Sequence, residues 1–541
     1  MRDAGKRTIT HLVIALATCI VVLAGFVPAQ SSAMPPRLDA ELAARAIRPA
    51  NELVPVIVRA YEDTSAVRDL VQALGGELGV DLDFIQAFAA QIPESALVRL
   101  GRDARVRYVS FDHPILPQND DLPQSNSDPE CFPSQPDPSK VVNTYNFTIG
   151  ANLAWAEGYT GKGITVAVVD SGVHPHLDLL RSLIFGHSVL PGKPAWVDQY
   201  GHGTHVAGII AGEGIASLGK YVGIAPGATI LPVRVCDDRG ASSESALVAG
   251  LQWIYENRAR QKIRVVNVSL NSNSLLSYHE SPLDAALEIL WFNGIVVVVS
   301  AGNNREAVYP PANDPFIIAV GAVDERGTRS TADDIVAPFS GYGTTPSGFS
   351  KPDLVAPGVD IVSTLPAIGA RLSLEHPDHR VGARYFRLSG TSMAAAVTSG
   401  AVALLLQAHP ELNPDEVKMR LMASATPLNQ TGAGAGILNV YNAIHIQGIG
   451  MANTGTQASQ LLWTGSDPVA WGSVNWGSVN WGSVNWGSVN WGSVNWGSVN
   501  WGSVDCSSVN WGKKPRPAAP RSVNWGRMPR RSVNWGRVEF Q

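Results

Sequence analysis

Continuous apolar runs separated by helix-type patterns constrain the fold of this chain more than any other feature. Runs of this kind, rich in Val and Ile and without polar alternation, are typical of parallel strands buried on both faces. The predicted strands are Thr165–Val169, Ile230–Cys236, Val265–Leu270, Ile295–Ser300 and Ile317–Val323. The predicted helices between them are His202–Gly212, Glu244–Asn257 and Leu283–Phe292. This alternation predicts an α/β fold, a doubly wound parallel sheet with helices on both faces.

Two polar residues follow strands of this predicted sheet. Asp170 ends the first apolar run, in Asp170-Ser171-Gly172, and Asn303 follows the fourth, in Ser300-Ala301-Gly302-Asn303. Because ligands of doubly wound sheets bind at the carboxyl ends of the strands, we expect the functional site at this edge.

A serine at the start of a further helix is a candidate nucleophile. Ser392 lies in Leu388-Ser389-Gly390-Thr391-Ser392-Met393-Ala394-Ala395-Ala396, which leads into an apolar helical pattern that ends near His409. An anion formed on a serine in the first turn of a helix lies beside unpaired backbone N–H groups and the positive end of the helix dipole. Taken alone, the stretch allows a second interpretation, in which Ser392 is a helix cap.

A histidine motif supplies the base that such a serine requires. Its sequence is Gly201-His202-Gly203-Thr204-His205-Val206-Ala207-Gly208. The chain order Asp170, His202, Ser392 is that of subtilisin and differs from that of chymotrypsin and the α/β-hydrolases. On these three motifs, residues 150–446 resemble the subtilisin-like serine peptidases, the subtilases.

The resemblance implies an activity and a role for each of these residues. It implies a serine endopeptidase in which Ser392 attacks the peptide carbonyl, His202 is the general base and Asp170 orients His202. It also implies an oxyanion hole made by the Asn303 side chain and the Ser392 N–H, although Gly-Asn-Asn also suits an ordinary turn. His205 is then structural, and the chemistry needs no cofactor.

The substrate-binding residues are implied by the resemblance alone. Subtilases bind an extended peptide as an added strand, and the candidate residues here are Ser269, Leu270, Asn271, Gly240, Ala241, Ser242, Ala301 and Gly302. Family members commonly carry glycines after the Ser-Leu pair, whereas this chain has Asn271 and Ser272. We expect these two side chains to narrow the pocket, and we expect a broad, apolar-leaning specificity for polypeptide substrates.

Two further departures from the family pattern concern packing and metal binding. Ala396 replaces the proline that usually follows the nucleophile motif, which should not abolish the chemistry. His176, in His174-Pro175-His176-Leu177, replaces a frequent carboxylate, and this puts the family's structural calcium in doubt because calcium prefers oxygen ligands. The two histidines allow either a softer metal or a solvated loop.

The region before the peptidase segment divides into three predicted parts. Residues 1–33 are typical of a signal peptide, because basic residues precede an apolar run, Leu12–Phe26, that is shorter than the ~20 residues of a membrane span. Residues 34–112 predict a βαββαβ unit and resemble the inhibitory propeptide of subtilases, the alternative being an unrelated small domain. Residues 113–149, which contain seven prolines, predict a linker exposed to proteolysis.

The cysteines add a hypothesis about the mature N-terminus. Cys19 leaves with the signal peptide, and Cys131, Cys236 and Cys506 remain. In an oxidising compartment Cys131 could pair with Cys236 and fix the mature N-terminus beside the substrate cleft.

Residues 447–541 form a low-complexity tail. Trp471-Gly472-Ser473-Val474-Asn475 opens a five-residue repeat, and the tail carries eight basic residues against three acidic ones. Three interpretations compete: a flexible extension, a solenoid that stacks its tryptophans, and a tail that binds a cell-surface polymer through tryptophan faces and basic groups.

Composition supports a secreted enzyme without a nucleic-acid partner. Charged residues make up only 16% of the chain and the net charge is −5, which disfavours nucleic-acid binding. We therefore predict a secreted endopeptidase, made as a zymogen and possessing its own propeptide as inhibitor. The alternative is a surface adhesin that uses the peptidase fold as a scaffold, and an esterase is disfavoured because candidate peptide-binding segments flank the cleft.

Overall fold

The computed structural model describes residues 37–50, 52–61, 63–116, 143–366, 369–459 and 462. These residues form two compact units. The smaller comprises residues 37–79 and 86–111, and the larger comprises the remaining described residues. The predicted signal peptide, most of the predicted linker including Cys131, and the repeats of the tail with Cys506 lie outside the described residues.

The smaller unit is built on a four-stranded sheet with the strand order β2-β3-β1-β4. Strand β1 runs antiparallel to both β3 and β4. In chain order the elements are α1 (Ala40–Ile47), β1 (Leu53–Ala60), α2 (Ser65–Ala73), β2 (Glu77–Leu82), β3 (Ala87–Pro93), α3 (Leu97–Arg102) and β4 (Val106–Phe111). The predicted βαββαβ order is present, and helix α1 precedes it.

Two features of the smaller unit differ from the sequence-based expectation. Helix α1 was not predicted; its N-cap Asp39 accepts a hydrogen bond from Leu42 N at 2.7 Å. Pro93 was expected to open the second helix, but it is the last residue of β3 and pairs with Leu53. Pro93 is therefore the N-cap instead of the first helical residue: a 3-10 turn, Glu94–Ala96, follows it directly and leads into α3 at Leu97.

The larger unit is built on an eight-stranded sheet. Its strand order is β13-β12-β11-β10-β6-β8-β7, with β16 beside β12. Every pair is parallel except β12 with β13. The strands are β6 (Thr165–Asp170), β7 (His187–Ser188), β8 (Thr229–Arg234), β10 (Ile263–Val268), β11 (Val296–Ser300), β12 (Ile318–Asp324), β13 (Ile335–Val336) and β16 (Leu354–Pro357). The five predicted strands correspond to β6, β8, β10, β11 and β12, so the predicted doubly wound α/β fold is confirmed.

Helices cover this sheet, and one of them is almost wholly buried. The helices are α4 (Tyr145–Thr148), α5 (Ala151–Ala156), α6 (His202–Ala211), α7 (Glu244–Asn257), α8 (Pro282–Phe292), α9 (Arg371–Glu375), α10 (Thr391–Ala408), α11 (Pro414–Ala423) and α12 (Val440–His445). Helix α10 packs against the central strands and against α6. Within the described residues it is the one helix long and apolar enough to span a membrane, but 89% of it is buried in the fold, as expected of a core helix.

Small additional sheets lie in the larger unit. They are formed by β5 (Pro114–Ile115) with β9 (Ser242–Ser243), by β14 (Gly343–Thr344) with β15 (Ser350–Lys351), and by β17 (Ile361–Thr364), β19 (Tyr385–Leu388) and β18 (Arg380–Val381). Both ends of the predicted linker therefore have regular structure: β5 lies near its start and α4 near its end.

The segment that follows α12 also packs on the larger unit, beyond the predicted domain end at residue 446. Ser459 N donates to both carboxylate oxygens of Glu288, at 3.0 and 2.8 Å, and Asn453 Nδ2 donates to Asp415 Oδ1 at 2.6 Å. Polar contacts with the core therefore continue to residue 459.

A buried carboxyl connects α4 to the loop after β12. Glu325 is 4% exposed and accepts hydrogen bonds from the hydroxyls of Thr144 and Thr148. Burial raises the pKa of Glu325 to about 7, although these hydrogen bonds lower it. At pH values between 4.5, the usual pKa, and about 7, Glu325 is protonated in the folded chain and ionised in the unfolded chain.

Glu325→Gln tests this proton linkage. Because the folded pKa is raised, wild-type stability falls as pH rises from about 4.5 through 7, at about 1.4 kcal/mol per unit of pKa difference. The Gln side chain cannot ionise, so we expect both proteins to melt alike at pH 5 and the variant to melt higher at pH 9. Melting is measured in the Ser392→Ala background to prevent self-digestion, with exposed Glu411→Gln as the control. A melting difference that does not change with pH would contradict the assignment.

Candidate active site

The carboxyl ends of three adjacent parallel strands meet at one edge of the large sheet. Asp170 ends β6, Ser269 follows β10, and Ser300 ends β11. The chain runs from β6 to β8 on one side and later to β10 on the other, so the strand order reverses between β6 and β10. Crevices at such reversal points are the usual binding sites of doubly wound sheets.

A buried carboxylate–imidazole pair lies at this edge. His202 is the first residue of α6, and its Nδ1 lies 2.8 Å from both Oδ1 and Oδ2 of Asp170. Asp170 is 1% exposed and His202 is 4% exposed. A neutral imidazole with Nδ1 against a carboxylate carries its proton there, which makes Nε2 the proton-accepting atom. The ring is thus oriented to act as a general base.

A second buried carboxylate, which no sequence motif indicated, holds the start of α6 against β6. Asp198 accepts hydrogen bonds from Ser171 Oγ at 2.8 Å, Gly201 N at 2.7 Å, Thr204 N at 2.8 Å and Thr204 Oγ1 at 2.6 Å. Ser171 Oγ also lies 3.2 Å from Asp170 Oδ1. Burial raises the pKa of Asp198, while the hydrogen bonds from Thr204 and Gly201 lower it. The sequence offered only a weak signal, an acidic residue ahead of the helix.

His205 is oriented away from the Asp170 carboxylate. Its Nε2 lies 3.0 Å from Phe386 O and 3.2 Å from Ile361 O. Burial lowers the pKa of His205 to about 3, so the ring is neutral and donates its Nε2–H to these carbonyls. These contacts join α6 to β17 and β19 and favour the predicted structural role.

Ser392 lies at the start of α10 with Ser269 beside it. Ser392 is 3% exposed, and its Oγ lies 3.5 Å from Ser269 O. Ser269 Oγ donates to Ser392 O at 3.2 Å. These contacts place the Ser392 hydroxyl next to the carboxyl end of β10.

Thr391 fixes the orientation of the Asn303 amide. Asn303 Oδ1 accepts hydrogen bonds from Thr391 N at 3.0 Å and from Thr391 Oγ1 at 2.9 Å. Gly302 N donates to Thr391 Oγ1 at 3.1 Å. Because the oxygen of the carboxamide is held by Thr391, its Nδ2 donor group lies on the opposite side. A carboxamide held in one orientation can act as a fixed hydrogen-bond donor.

The candidate substrate-binding residues lie in two segments of the larger unit and beside Asn303. Ser269, Leu270 and Asn271 follow β10, and Ala301 and Gly302 follow β11. The other segment, Gly240 to Ser242, leads into β9. Gly240 has a φ of +81°, and a Cβ there would lie 2.7 Å from the ring of Tyr200, so this position needs glycine.

The His176 segment does not fit a calcium site. His176 Nδ1 accepts a hydrogen bond from Asp178 N at 3.1 Å. Both carboxylate oxygens of Asp178 accept protein donors, from Ala216 N at 2.7 Å and Tyr385 OH at 2.6 Å. Throughout the part of the chain that the structure describes, no group of three or more His, Cys, Asp or Glu side chains is arranged to hold a metal ion.

Cys236 is buried near Asp170. It is 1% exposed, and burial raises the pKa of its thiol well above the usual value. A pairing with Cys131 stays a prediction, because Cys131 lies outside the described residues.

The Asp170–His202 pair and Ser392 thus lie at the same carboxyl edge of the sheet, the pair at the end of β6 and the serine at the start of α10. The subtilase family pattern matches residues 161–442, and a pattern of pentapeptide repeats matches residues 470–512 in eight copies. The chain belongs to the subtilase family, and it is a serine endopeptidase.

Individual relatives agree with this assignment. Serine protease AprX of Bacillus subtilis is 39% identical over 53% of this chain and 67% of its own length. Subtilisin E of the same species is 32% identical over 70% of this chain and 85% of its own length. Subtilisin Savinase of Lederbergia lenta is 35% identical over 54% of this chain and 96% of its own length.

A solved structure also resembles this chain. The crystal structure of fervidolysin from Fervidobacterium pennivorans, described as a keratinolytic enzyme related to subtilisin, matches with a TM-score of 0.56 and 27% identity. The match covers 74% of this chain and 62% of that chain, so it spans less than two thirds of fervidolysin.

Asp198→Ala tests whether this carboxylate positions His202. Without it, four donors lose their acceptor and the start of α6 is free to shift against β6. A displacement of about 1 Å at the base costs about 10²-fold in rate, so we expect kcat to fall by about that factor with KM little changed. Peptide hydrolysis gives both constants, and exposed Asp378→Ala is the control. A variant that melts earlier but retains full kcat would show a purely structural role.

Proposed function

We propose that Ser392, His202 and Asp170 form the catalytic triad of this endopeptidase. The observation that carries the proposal is the buried contact at 2.8 Å between His202 Nδ1 and Asp170. It orients the imidazole and stabilises the positive charge that the ring acquires during the reaction. The position of Ser392 at the start of α10, at the same edge of the sheet, supplies the nucleophile.

The proposed reaction proceeds through an acyl-enzyme. Ser392 Oγ attacks the scissile carbonyl carbon while its proton passes to His202 Nε2. The carbonyl oxygen becomes an oxyanion that accepts hydrogen bonds from Asn303 Nδ2 and Ser392 N–H. The C–N bond then breaks, and the leaving amine takes the proton from His202. Water attacks the resulting ester with His202 again as base, which releases the acid and restores the Ser392 hydroxyl.

The substrate is proposed to bind as an extended polypeptide. The segments that would pair with it are Ser269 to Asn271 and Gly240 to Ser242, with Ala301 and Gly302 lining the cleft beside Ser392. An extended peptide that adds as a strand gains affinity from main-chain hydrogen bonds, while pockets for its side chains set the specificity.

The chain is proposed to be made as a zymogen. In the larger unit, β5 pairs antiparallel with β9, so that Pro114 lies opposite Ser243 and Ile115 opposite Ser242. The chain leading into β5 therefore adds a strand to a candidate substrate-binding segment. Glu244 N also donates to His113 O at 3.0 Å. This pairing supports the proposal that residues 34–112 form an inhibitory propeptide and that the residues directly after it, His113 to Ile115, occupy the substrate groove.

Secretion is proposed on the predicted signal peptide, residues 1–33. Subtilase relatives are generally extracellular, and N-terminal sequencing of the exported protein would identify both processing sites.

Two other sequence-based predictions gain no support from the relatives, which are proteases. They are the binding of a cell-surface polymer by residues 447–541 and the alternative that the chain is an adhesin.

Ser392→Ala and Asn303→Ala together test the proposed chemistry. A fluorophosphonate probe should label the mature wild type and Asn303→Ala but not Ser392→Ala, because only the last lacks the attacking oxygen. Loss of the Asn303 donor should lower kcat by about 10²- to 10³-fold, the loss known for the corresponding subtilisin donor. Ser399→Ala serves as a control serine in the same helix. Labelling of Ser392→Ala at the wild-type rate would refute the assignment.

Asp112→Ala tests the zymogen proposal. Asp112 is 9% exposed and accepts hydrogen bonds from Ser245 N at 2.9 Å and Ser245 Oγ. Removal of the carboxylate should weaken the hold on β5, so we expect peptidase activity of the full-length chain to appear several-fold sooner after folding. The time course is followed with a peptide substrate, and exposed Asp63→Ala is the control. An unchanged time course, with the same processed N-terminus, would contradict the proposal.

A further inference from the structure

An asparagine side chain bridges the carboxyl ends of β10 and β11. Asn271 Nδ2 donates to Ser300 O at 2.9 Å, and Ser300 Oγ donates to Asn271 Oδ1 at 2.9 Å. Asn271 is 5% exposed and Ser300 is 1% exposed. Two hydrogen bonds between buried groups hold this carboxamide in one orientation, because breaking them would leave buried polar atoms unsatisfied.

The bridge joins the two segments that lead to the start of α10. Both segments reach the start of α10, because Ser269 contacts Ser392, and Gly302 and Asn303 contact Thr391. In the proposed extended binding mode, the residue whose carbonyl is attacked directs its side chain into the crevice between the segments that follow β10 and β11. At their bases these strands lie about 5 Å apart, too close to admit a side chain.

The space available to that side chain depends on the side chains of the residues that follow the two strands. A glycine at position 271 would leave the gap between the two segments open. The Asn271 carboxamide spans the gap and is bonded on both sides to Ser300, so a large side chain could enter only by breaking this bridge. Small side chains do not reach it.

We propose that the Asn271–Ser300 bridge closes this crevice, so that the enzyme cleaves after small residues such as Ala, Gly or Ser in preference to aromatic or long aliphatic ones. The inference rests on the proposed function and names its substrate class. It replaces the broad, apolar-leaning specificity expected from the sequence with a narrower one.

The neighbouring departure from glycine does not contribute to the closure. Ser272 Oγ donates to the carboxylate of Glu244, which is the first residue of α7, and Ser272 N donates to Pro310 O at 2.8 Å. The Ser272 hydroxyl is thus directed to α7 and not to Ser300. Of the two side chains, only that of Asn271 crosses the crevice, so Ser272 provides a control position next to it.

The test compares two peptides that differ only in the residue supplying the scissile carbonyl, Ala in one and Phe in the other. For the mature wild type we expect kcat/KM for the Ala peptide to exceed that for the Phe peptide by about tenfold or more. Asn271→Gly should raise the Phe-to-Ala ratio by about tenfold or more, whereas Ser272→Gly should leave it within about twofold. Each ratio is independent of the amount of active enzyme, so partial misfolding does not affect it.

A second variant covers the case in which Asn271→Gly does not fold. Asn271→Ala keeps only a Cβ and should move the ratio in the same direction by a smaller factor. The inference is overturned if the wild type cleaves the Phe peptide at least as well as the Ala peptide, or if neither Asn271 variant changes the ratio. If the wild type cleaves neither peptide and Ser392 is not labelled by the fluorophosphonate probe, the proposed function fails and this inference fails with it. Labelling of Ser392 together with a Phe preference overturns the inference alone.

Discussion

The packing of α10 into the centre of the larger unit is the constraint on which the site depends. The helix is buried from Thr391 to Leu406 against the parallel sheet and α6. Close approach requires small side chains: a Cβ on Gly400 would lie 2.6 Å from the Cβ of Ile224. Dense packing on all sides leaves the start of the helix no freedom to shift, and Ser392 is held there. The small residues of the helix therefore fix the position of the proposed nucleophile as well as contributing to stability.

Buried polar groups define the other half of the site, and each of them has a specific partner. Asp170 faces His202, Asp198 gathers the donors around the start of α6, and Asn303 is held by Thr391. Leaving such groups without partners inside the protein would cost more than their hydrogen bonds contribute. The requirement to satisfy them gives the site one geometry, which a catalyst needs before its substrate arrives. The Asn271–Ser300 bridge follows the same rule, but it restricts the substrate instead of orienting a reacting group.

Most of the fold was predictable because its strands and helices have strong local patterns. The strands β6, β8, β10, β11 and β12 are apolar runs, and their ends agree with the structure to within a few residues. The predictions failed where pairing with a distant segment overrides local preference. Pro93 is a good first residue for a helix, yet its pairing with Leu53 in β1 keeps it in a strand. Helix α1 was missed although its cap is local, since Asp39 accepts from Leu42 N; only the fold brings Phe111 N of β4 to the second carboxylate oxygen of Asp39.

By itself, the sequence determined the fold class, the family and the candidates Asp170, His202, Asn303 and Ser392, because short motifs at strand ends and helix starts carry this information locally. Only the tertiary structure decided what Asp198, Asn271 and Ser272 do. Asn271 and Ser272 are adjacent in the chain, yet one side chain bonds to Ser300 and the other to Glu244. The direction of a side chain in a turn depends on which distant donors and acceptors surround it. No local pattern encodes that environment, which forms only when β10, β11 and α7 have packed together.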